Sequence, residues 1–177
     1  MRSFLLTKAL KDIMEPLTES TIRKSFVNAS RSEVAAMNLP AGFADLEWEH
    51  LDQLGWRDHK MPQRAYLVLP VDGKAVGVLL RAPELSAPKN RRVMCALCQD
   101  VYSEEPVFLY VARRAGQRGR DGNTVGTLIH ADFTCSANVR AAVLPNPIHP
   151  DPELVIAERI SGLRERSGQF MRNVMAR

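Results

Sequence analysis

The chain has three cysteines in 177 residues. So small and odd a count excludes a disulfide scaffold, which needs an even set at repeated spacings. Long apolar runs are missing as well. No stretch approaches the roughly 18 apolar residues of a membrane span. The start, Met1-Arg2-Ser3-Phe4-Leu5-Leu6-Thr7-Lys8, has too short an apolar core for a secretory signal. These absences predict a cytoplasmic protein with no membrane partner. Internal repeats are absent too.

What is present is ordinary for a folded domain: 45% hydrophobic and 25% charged residues exclude disorder for the whole chain. The length suits one compact domain or two small ones sharing an interface. The net charge of +4 is unevenly placed. Residues 1–87 balance, with 11 basic and 11 acidic side chains, whereas residues 88–177 carry 13 basic against 9 acidic. A local positive field suits RNA or an acidic protein face; a solvated basic surface is the plainer reading.

Apolar spacing predicts helices over 3–15 and 19–28, with Phe4, Leu5, Ala9, Ile13 and then Ile22, Phe26 recurring at helical intervals. Pro16 ends the first. Ser30-Arg31-Ser32-Glu33 has the form of a capping box, and Asp45 to Leu54 continues the helical pattern up to a stop at Gly55. The pattern then changes. Strands are expected at Ala65–Val71 and Lys74–Arg81, joined by Asp72-Gly73 as a tight hairpin. Two more strands, Val107–Arg113 and Thr124–Ile129, flank the glycine- and arginine-rich stretch Ala115–Asn123. A helix begins at Cys135. After a proline-rich connection, Asp151 caps a last helix with Pro152 in its first turn. The expected division is a helical region over 1–62, a β-rich domain over 63–144, and a connection with a C-terminal helix over 145–177.

All three cysteines fall into one constellation. Cys95-Ala96-Leu97-Cys98 is a pair whose spacing lets a tight turn aim both sulfurs at one ion. His130-Ala131-Asp132-Phe133-Thr134-Cys135 adds an imidazole and a thiolate after a hairpin, at the start of a helix. Knuckle, hairpin and ligand-bearing helix outline a treble-clef zinc finger with Cys95, Cys98, His130 and Cys135 as ligands. A redox dithiol would sit between a strand and a helix of a parallel fold; here hairpins surround it. A zinc deaminase would place its histidine first, in His-x-Glu, and follow it with Pro-Cys-x-x-Cys. Here the order is reversed, Asp132 stands at the glutamate position, and no proline precedes Cys95. Four protein donors close a tetrahedral zinc and leave no place for substrate, so the expected role is structural. No nucleophile–base pair has recognisable spacing, and the chain is read as a non-enzyme. His50, His59 and His149 have no partner spacing, and Trp48 and Trp56 read as core or interface residues.

The zinc segment, with Phe108-Leu109-Tyr110-Val111-Ala112-Arg113-Arg114-Ala115-Gly116 and Gly119-Arg120-Asp121-Gly122-Asn123-Thr124-Val125-Gly126-Thr127 between its halves, resembles the FusB-type elongation factor G-binding proteins. Upstream, Ser25-Phe26-Val27-Asn28-Ala29-Ser30 and Leu51-Asp52-Gln53-Leu54-Gly55-Trp56-Arg57-Asp58 are similar to the actinobacterial branch of that family. The resemblance covers about residues 20–143. It implies an α+β protein: an N-terminal helical bundle packed on a β-hairpin-rich treble-clef zinc domain, with a C-terminal helix. It also implies binding to elongation factor G and release of that factor when it stalls on the ribosome, which can protect against fusidic acid. His130 stands where the family commonly has cysteine; zinc accepts either.

Arg113, Arg114, Arg118 and Arg120 form a cluster with no acidic residue between Pro106 and Arg120. Guanidinium forks suit carboxylates and phosphates alike. Two partners fit, an acidic face of a translation factor or ribosomal RNA, and a solvated loop is the third reading. Asn123 and Asp121 shape the turn, with Asn123 also placed to contact a partner. The chain is expected to act as a monomer.

Overall fold

The computed structural model describes residues 14–83, 93–145 and 151–176. The helix expected over 3–15 lies outside these residues apart from its last two. The fold is mixed α+β: helices from both ends flank a five-stranded sheet, β1 (Leu54–Arg57), β2 (Arg64–Val71), β3 (Lys74–Arg81), β4 (Val107–Arg113) and β5 (Thr124–His130), in the order β1-β2-β3-β4-β5. Every neighbouring pair is antiparallel, so each strand turns back beside its predecessor. Positions 62 and 63 fall between two strands of this one sheet, since Trp56 of β1 pairs with Tyr66 of β2.

The Asp72-Gly73 loop forms as expected, with φ of 50° and 77°. Two consecutive positive values are the geometry of a hairpin turn whose twist matches its strands.

Alternation along the strands gives the sheet two buried faces. One holds Ala65, Leu67 and Leu69 of β2, Val78 and Leu80 of β3, Phe108 and Tyr110 of β4, and Ile129 of β5. A long helix covers it through Leu163, Phe170, Met171 and Val174. The other holds Leu54, Trp56, Tyr66, Val68 and Leu79, covered by Ile22 and Met37 from the N-terminal segment. Burying one such large apolar side chain contributes about 1.5–3 kcal/mol, so a sheet clad on both faces has the means to hold the chain in one unit.

On the N-terminal face, α1 (Glu19–Ser25) starts at Thr18, whose hydroxyl accepts from the Thr21 amide. Helix α2 (Arg31–Ala35) carries the expected capping box: Ser30 Oγ accepts from Glu33 N at 3.2 Å and Ser30 N donates to Glu33 Oε2 at 2.7 Å. The helix expected over 19–28 ends early. Phe26 bridges to Gly77 of β3, and the Asn28 side chain enters the sheet. There β3 and β4 are joined by only two residue pairs, Leu80 with Ala112 and Arg81 with Val111. Asn28 fills the gap: its amide donates to Leu79 O and Arg113 O at 3.0 and 2.9 Å and accepts from Leu79 N at 2.8 Å.

The helix expected from Asp45 to Leu54 is a correction. That stretch makes short 3-10 turns at Phe43–Asp45 and Trp48–His50 and then enters β1. Its apolar residues do face the core, but from an irregular segment laid across the sheet. Gly55 is therefore a strand residue and no helix stop. A Cβ there would lie 2.3 Å from Phe133 Cδ1, and the bare backbone lets that ring sit against the strand.

Candidate metal centre

The residues that gather the thiols come from three places. Cys95 and Cys98 sit on a tight turn in which Gln99 N donates to Cys95 O at 2.9 Å, with Gln99 at a φ of 58°. Ala96 N donates to Leu128 O at 2.8 Å, which fastens the turn to β5. His130 is the last residue of β5. The chain then reverses through Phe133, at a φ of 57°, into α4 (Cys135–Val139), so Cys135 opens a helix as expected. That helix is short, closing at Arg140.

The turn, the strand end and the helix start bring their side chains together. The donor atoms of Cys95, Cys98 and His130 all lie within 4.8 Å of one another, a buried Cys2His cluster. Cys135 joins through Cys95, with their sulfurs 3.6 Å apart. A disulfide would need about 2.05 Å. Two sulfurs each about 2.3 Å from one tetrahedral zinc stand roughly 3.8 Å apart, close to what is seen. Both ring nitrogens of His130 are buried without a hydrogen-bond partner among the described residues, although buried polar atoms are nearly always satisfied. A cation between these groups would take one of them. Hydrogen bonds from Cys135 and Cys98 pull the Cys95 thiol far down, toward thiolate, and the same sharing of hydrogen bonds with Cys95 and Cys98, with burial, pushes Cys135 up. A negative charge gathered among buried thiols is what a divalent cation compensates. The residues fit zinc.

Behind this cluster runs a polar brace that the sequence did not single out. The C-terminal helix α5 (Pro152–Met175) begins with Asp151 accepting from Leu154 N at 3.3 Å, as expected. Its Arg166 Nε donates to Leu97 O at 2.6 Å, inside the cysteine turn. Its Arg164 Nε donates to Asp52 Oδ1 at 2.8 Å, and Arg140, at the end of α4, also grips Asp52. Asp52, its side chain 1% exposed, thus takes two guanidinium groups, while its amide donates to Ser136 Oγ at 3.0 Å. Ser167 Oγ donates to Gln53 Oε1 at 2.6 Å. The visible signal was a polar pair, Asp52-Gln53, inside an apolar-spaced stretch. Its partners lie more than 80 residues away, beyond the reach of any local pattern.

The arginine-rich hairpin is less open than the sequence implies. A helical turn, α3 (Gly116–Arg120), interrupts it. A Cβ at Gly119 would lie 1.8 Å from Arg114 O, so the turn packs on the strand end as only glycine allows. Arg113 Nη2 donates to Glu33 Oε1 at 2.6 Å, and Arg114 Nη1 to Asn173 O at 2.5 Å near the end of α5. Arg120 Nε donates to Gln117 Oε1 at 3.0 Å. Arg118 and Asn123 are exposed and joined through the backbone, Asn123 N to Arg118 O at 2.9 Å. Arg113 and Arg114 thus work within the fold, and Arg118 stands out from it.

A turn bearing two thiols, a hairpin end bearing an imidazole and a helix opening on a third thiol define a zinc-finger domain of the treble-clef type. The chain belongs to the FBP C-terminal treble-clef zinc-finger family, which it matches over residues 21–174. Among solved structures it is similar to the fusidic acid resistance protein FusC, with a TM-score of 0.53 and 18% identity over 91% of this chain and 66% of that one. At that identity the likeness is one of fold, and the chain spans just under two thirds of the FusC length. No curated protein matches the sequence. Family and fold are those of non-catalytic zinc-finger proteins, in keeping with a non-enzymatic role. Among the described residues no helix is long and apolar enough to cross a membrane.

Proposed function

We propose that Cys95, Cys98, His130 and Cys135 together hold one structural zinc ion. The domain it stabilises binds elongation factor G as a non-enzymatic translation accessory in the cytoplasm. The ion would clamp the cysteine turn, the end of β5 and the start of α4 into one platform, with four protein donors and no open coordination position. From that platform the hairpin would present Arg118, Arg120 and Asn123 to the partner, with Arg113 and Arg114, bonded to Glu33 and Asn173 O, holding its base. Guanidinium groups beside exposed backbone suit an acidic protein face. Promoting departure of the factor from the ribosome, and with it protection against fusidic acid, is the activity this reading assigns.

The observation that carries it is the buried convergence of Cys95, Cys98 and His130 within 4.8 Å in a chain that matches the zinc-finger family from residue 21 to residue 174. The test is retention of purified elongation factor G from the same host on the immobilised protein at moderate salt, with and without nuclease. Retention in both arms supports the proposal. Retention lost on nuclease treatment gives the alternative, a zinc-stabilised RNA-binding module, whose affinity would also fall steeply with salt through counterion release. No retention in either arm ends the elongation factor reading. Zinc content of wild type against Cys98→Ser and His130→Ala tests the ligands separately.

A further inference from the structure

The sheet carries a positively charged concavity away from the thiols. A groove of about 870 Å³ runs along the ends of β1 to β4, and its walls include Arg57, Arg64, Arg81 and Arg113 against, among the described residues, one carboxylate, Glu33. That carboxylate is already taken by Arg113. Arg57 is fixed at one end: it stacks over the Phe108 and Tyr110 rings at 5.7 and 5.4 Å, and its Nη groups donate to Pro62 O, Pro83 O and Tyr110 Oη. Its Nε is buried with no hydrogen-bond partner among the described residues.

Arg64 and Arg81 are directly opposite each other in the β2–β3 register, so they project from the same face of adjacent strands. Like charges in that position repel. Neither has a carboxylate in ion-pair contact among the described residues. Arg113 shares their face, because Arg81 pairs with Val111, two residues before it. Arg64 is also felt by the Tyr66 phenol and the Glu33 carboxylate, but among the described residues Arg81 has no ion pair, and the one carboxylate near all three cations does not balance them. An anionic ligand between them removes the repulsion.

We infer that this groove binds an acidic stretch of peptide chain from a protein partner, with its carboxylates held by Arg64 and Arg81. The remaining walls decide between peptide and nucleic acid. Met61, Pro62, Leu79, Ala82, Pro83 and Val111 are apolar, and among the described residues no aromatic ring lines the groove for bases to stack on. A chain alternating carboxylate with apolar side chains matches both halves of such a lining. The volume lies within the range of ligand clefts, about 300–1,000 Å³. Glu33, which reaches Arg113 from the N-terminal segment, shows within the protein itself how a carboxylate sits there.

The inference stands on the groove and does not need the partner to be elongation factor G, so its test uses neither that protein nor the ribosome. The probe is a fluorescein-labelled octapeptide in which glutamate alternates with leucine and alanine, titrated by anisotropy into the zinc-loaded protein. A labelled oligouridine of the same length is the second probe. Arg81→Ala should weaken peptide binding about tenfold, the loss of one charge-assisted contact, with the melting temperature unchanged or raised as the Arg64 repulsion disappears. Lys74→Ala, at the far end of β3, should leave peptide affinity unchanged. Failure of the wild type to bind the peptide, or equal affinity in Arg81→Ala, would overturn the inference. So would oligouridine binding tighter than the peptide and lost in Arg81→Ala, which would make the groove a nucleic-acid site.

Discussion

The two faces of the sheet are held by different means. On the α5 face a few polar groups converge on a point: three thiols and an imidazole, braced by Arg166 on Leu97 and by the Asp52 triad. On the N-terminal face stability is spread over many apolar and aromatic contacts, such as Phe26 edge-on to Tyr66 at 5.8 Å and Trp56 against Tyr66 at 5.0 Å. A face built on a point fails when the point is lost. A face built on spread contacts erodes one residue at a time. Residues 52–58 belong to both. Asp52 and Gln53 bond to α4 and α5, whereas Trp56 donates to Asn38 O and Asp58 accepts from Asn38 and Tyr66. One short stretch therefore transmits the order of each face to the other.

The largest effect is expected from breaking the point. Structural zinc in small modules contributes on the order of 10–16 kcal/mol of apparent binding energy at neutral pH, as much as a typical domain's whole stability of about 5–15 kcal/mol. Chelation, or Cys98→Ser, should abolish amide-exchange protection in Cys95–Asp100 and Cys135–Arg140. Because β2 and β3 carry core residues for both faces, protection of the Tyr66 and Val68 amides should go in the same transition. Survival of those amides after chelation would mean that the two faces are independently stable layers. The next largest effect is at the brace. Asp52→Ala leaves Arg140 and Arg164 facing each other with the buried carboxylate between them removed. Removing one partner from such a buried ionic set costs about 3–5 kcal/mol. Urea unfolding should show that loss with zinc stoichiometry unchanged, which separates brace from metal.

How much of this was open to the sequence depends on the reach of each signal. The Ser30–Glu33 capping box, the Asp72-Gly73 hairpin, the Asp151 cap and the α+β class all rest on residues within a few positions of one another, and each forms as expected. The thiol constellation was legible because cysteine is scarce and its spacing short. What failed was the stretch from Asp45 to Leu54. There Leu46, Leu51 and Leu54 imitate a helical period, while Asp52 and Gln53 are committed to α4 and α5. Tertiary partners outweighed local spacing. The facing of Arg64 and Arg81 was hidden for a different reason. It exists only once strand register is fixed, and a slip of one residue would send either side chain to the other face.

A smaller effect tests the contact that joins the brace to the reversing turn. Gly55→Ala places a Cβ 2.3 Å from Phe133 Cδ1, and the ring, 5.1 Å from Tyr110, has little freedom to retreat. Overpacking of this kind costs about 1–3 kcal/mol. Phe133→Leu should recover part of that loss in the double variant, a coupling that a thermodynamic cycle reads directly. Additive losses would mean that the clash is relieved elsewhere.

The smallest effect isolates the N-terminal face by pH. Burial works to raise the Asp58 carboxyl, but hydrogen bonds from Lys60 N, Asn38 and Met61 N outweigh it and hold Asp58 below its ordinary 3.8. Its contribution is complete above the unfolded value and is lost as pH falls through the lower folded one. In acid, however, thiolates holding the proposed zinc would also take up protons and release it, so that arm mixes the two faces. On the alkaline side burial also raises the Tyr110 phenol of the α5 face, but a comparison of wild type with Tyr66→Phe cancels that contribution. Tyr66 donates to Asp58 Oδ2 at 3.1 Å, and burial, then the Asp58 charge and that hydrogen bond, push its phenol up to about 12. The unfolded chain ionises this tyrosine near 10 while the folded one keeps its proton. The contribution is therefore full below 10 and lost as pH rises toward 12. The stability difference between wild type and Tyr66→Phe should be constant from pH 7 to about 9.5 and decline above it. A flat difference through that range would show that the phenol and Asp58 do not share their proton as drawn, and the N-terminal face would lose its main polar contact.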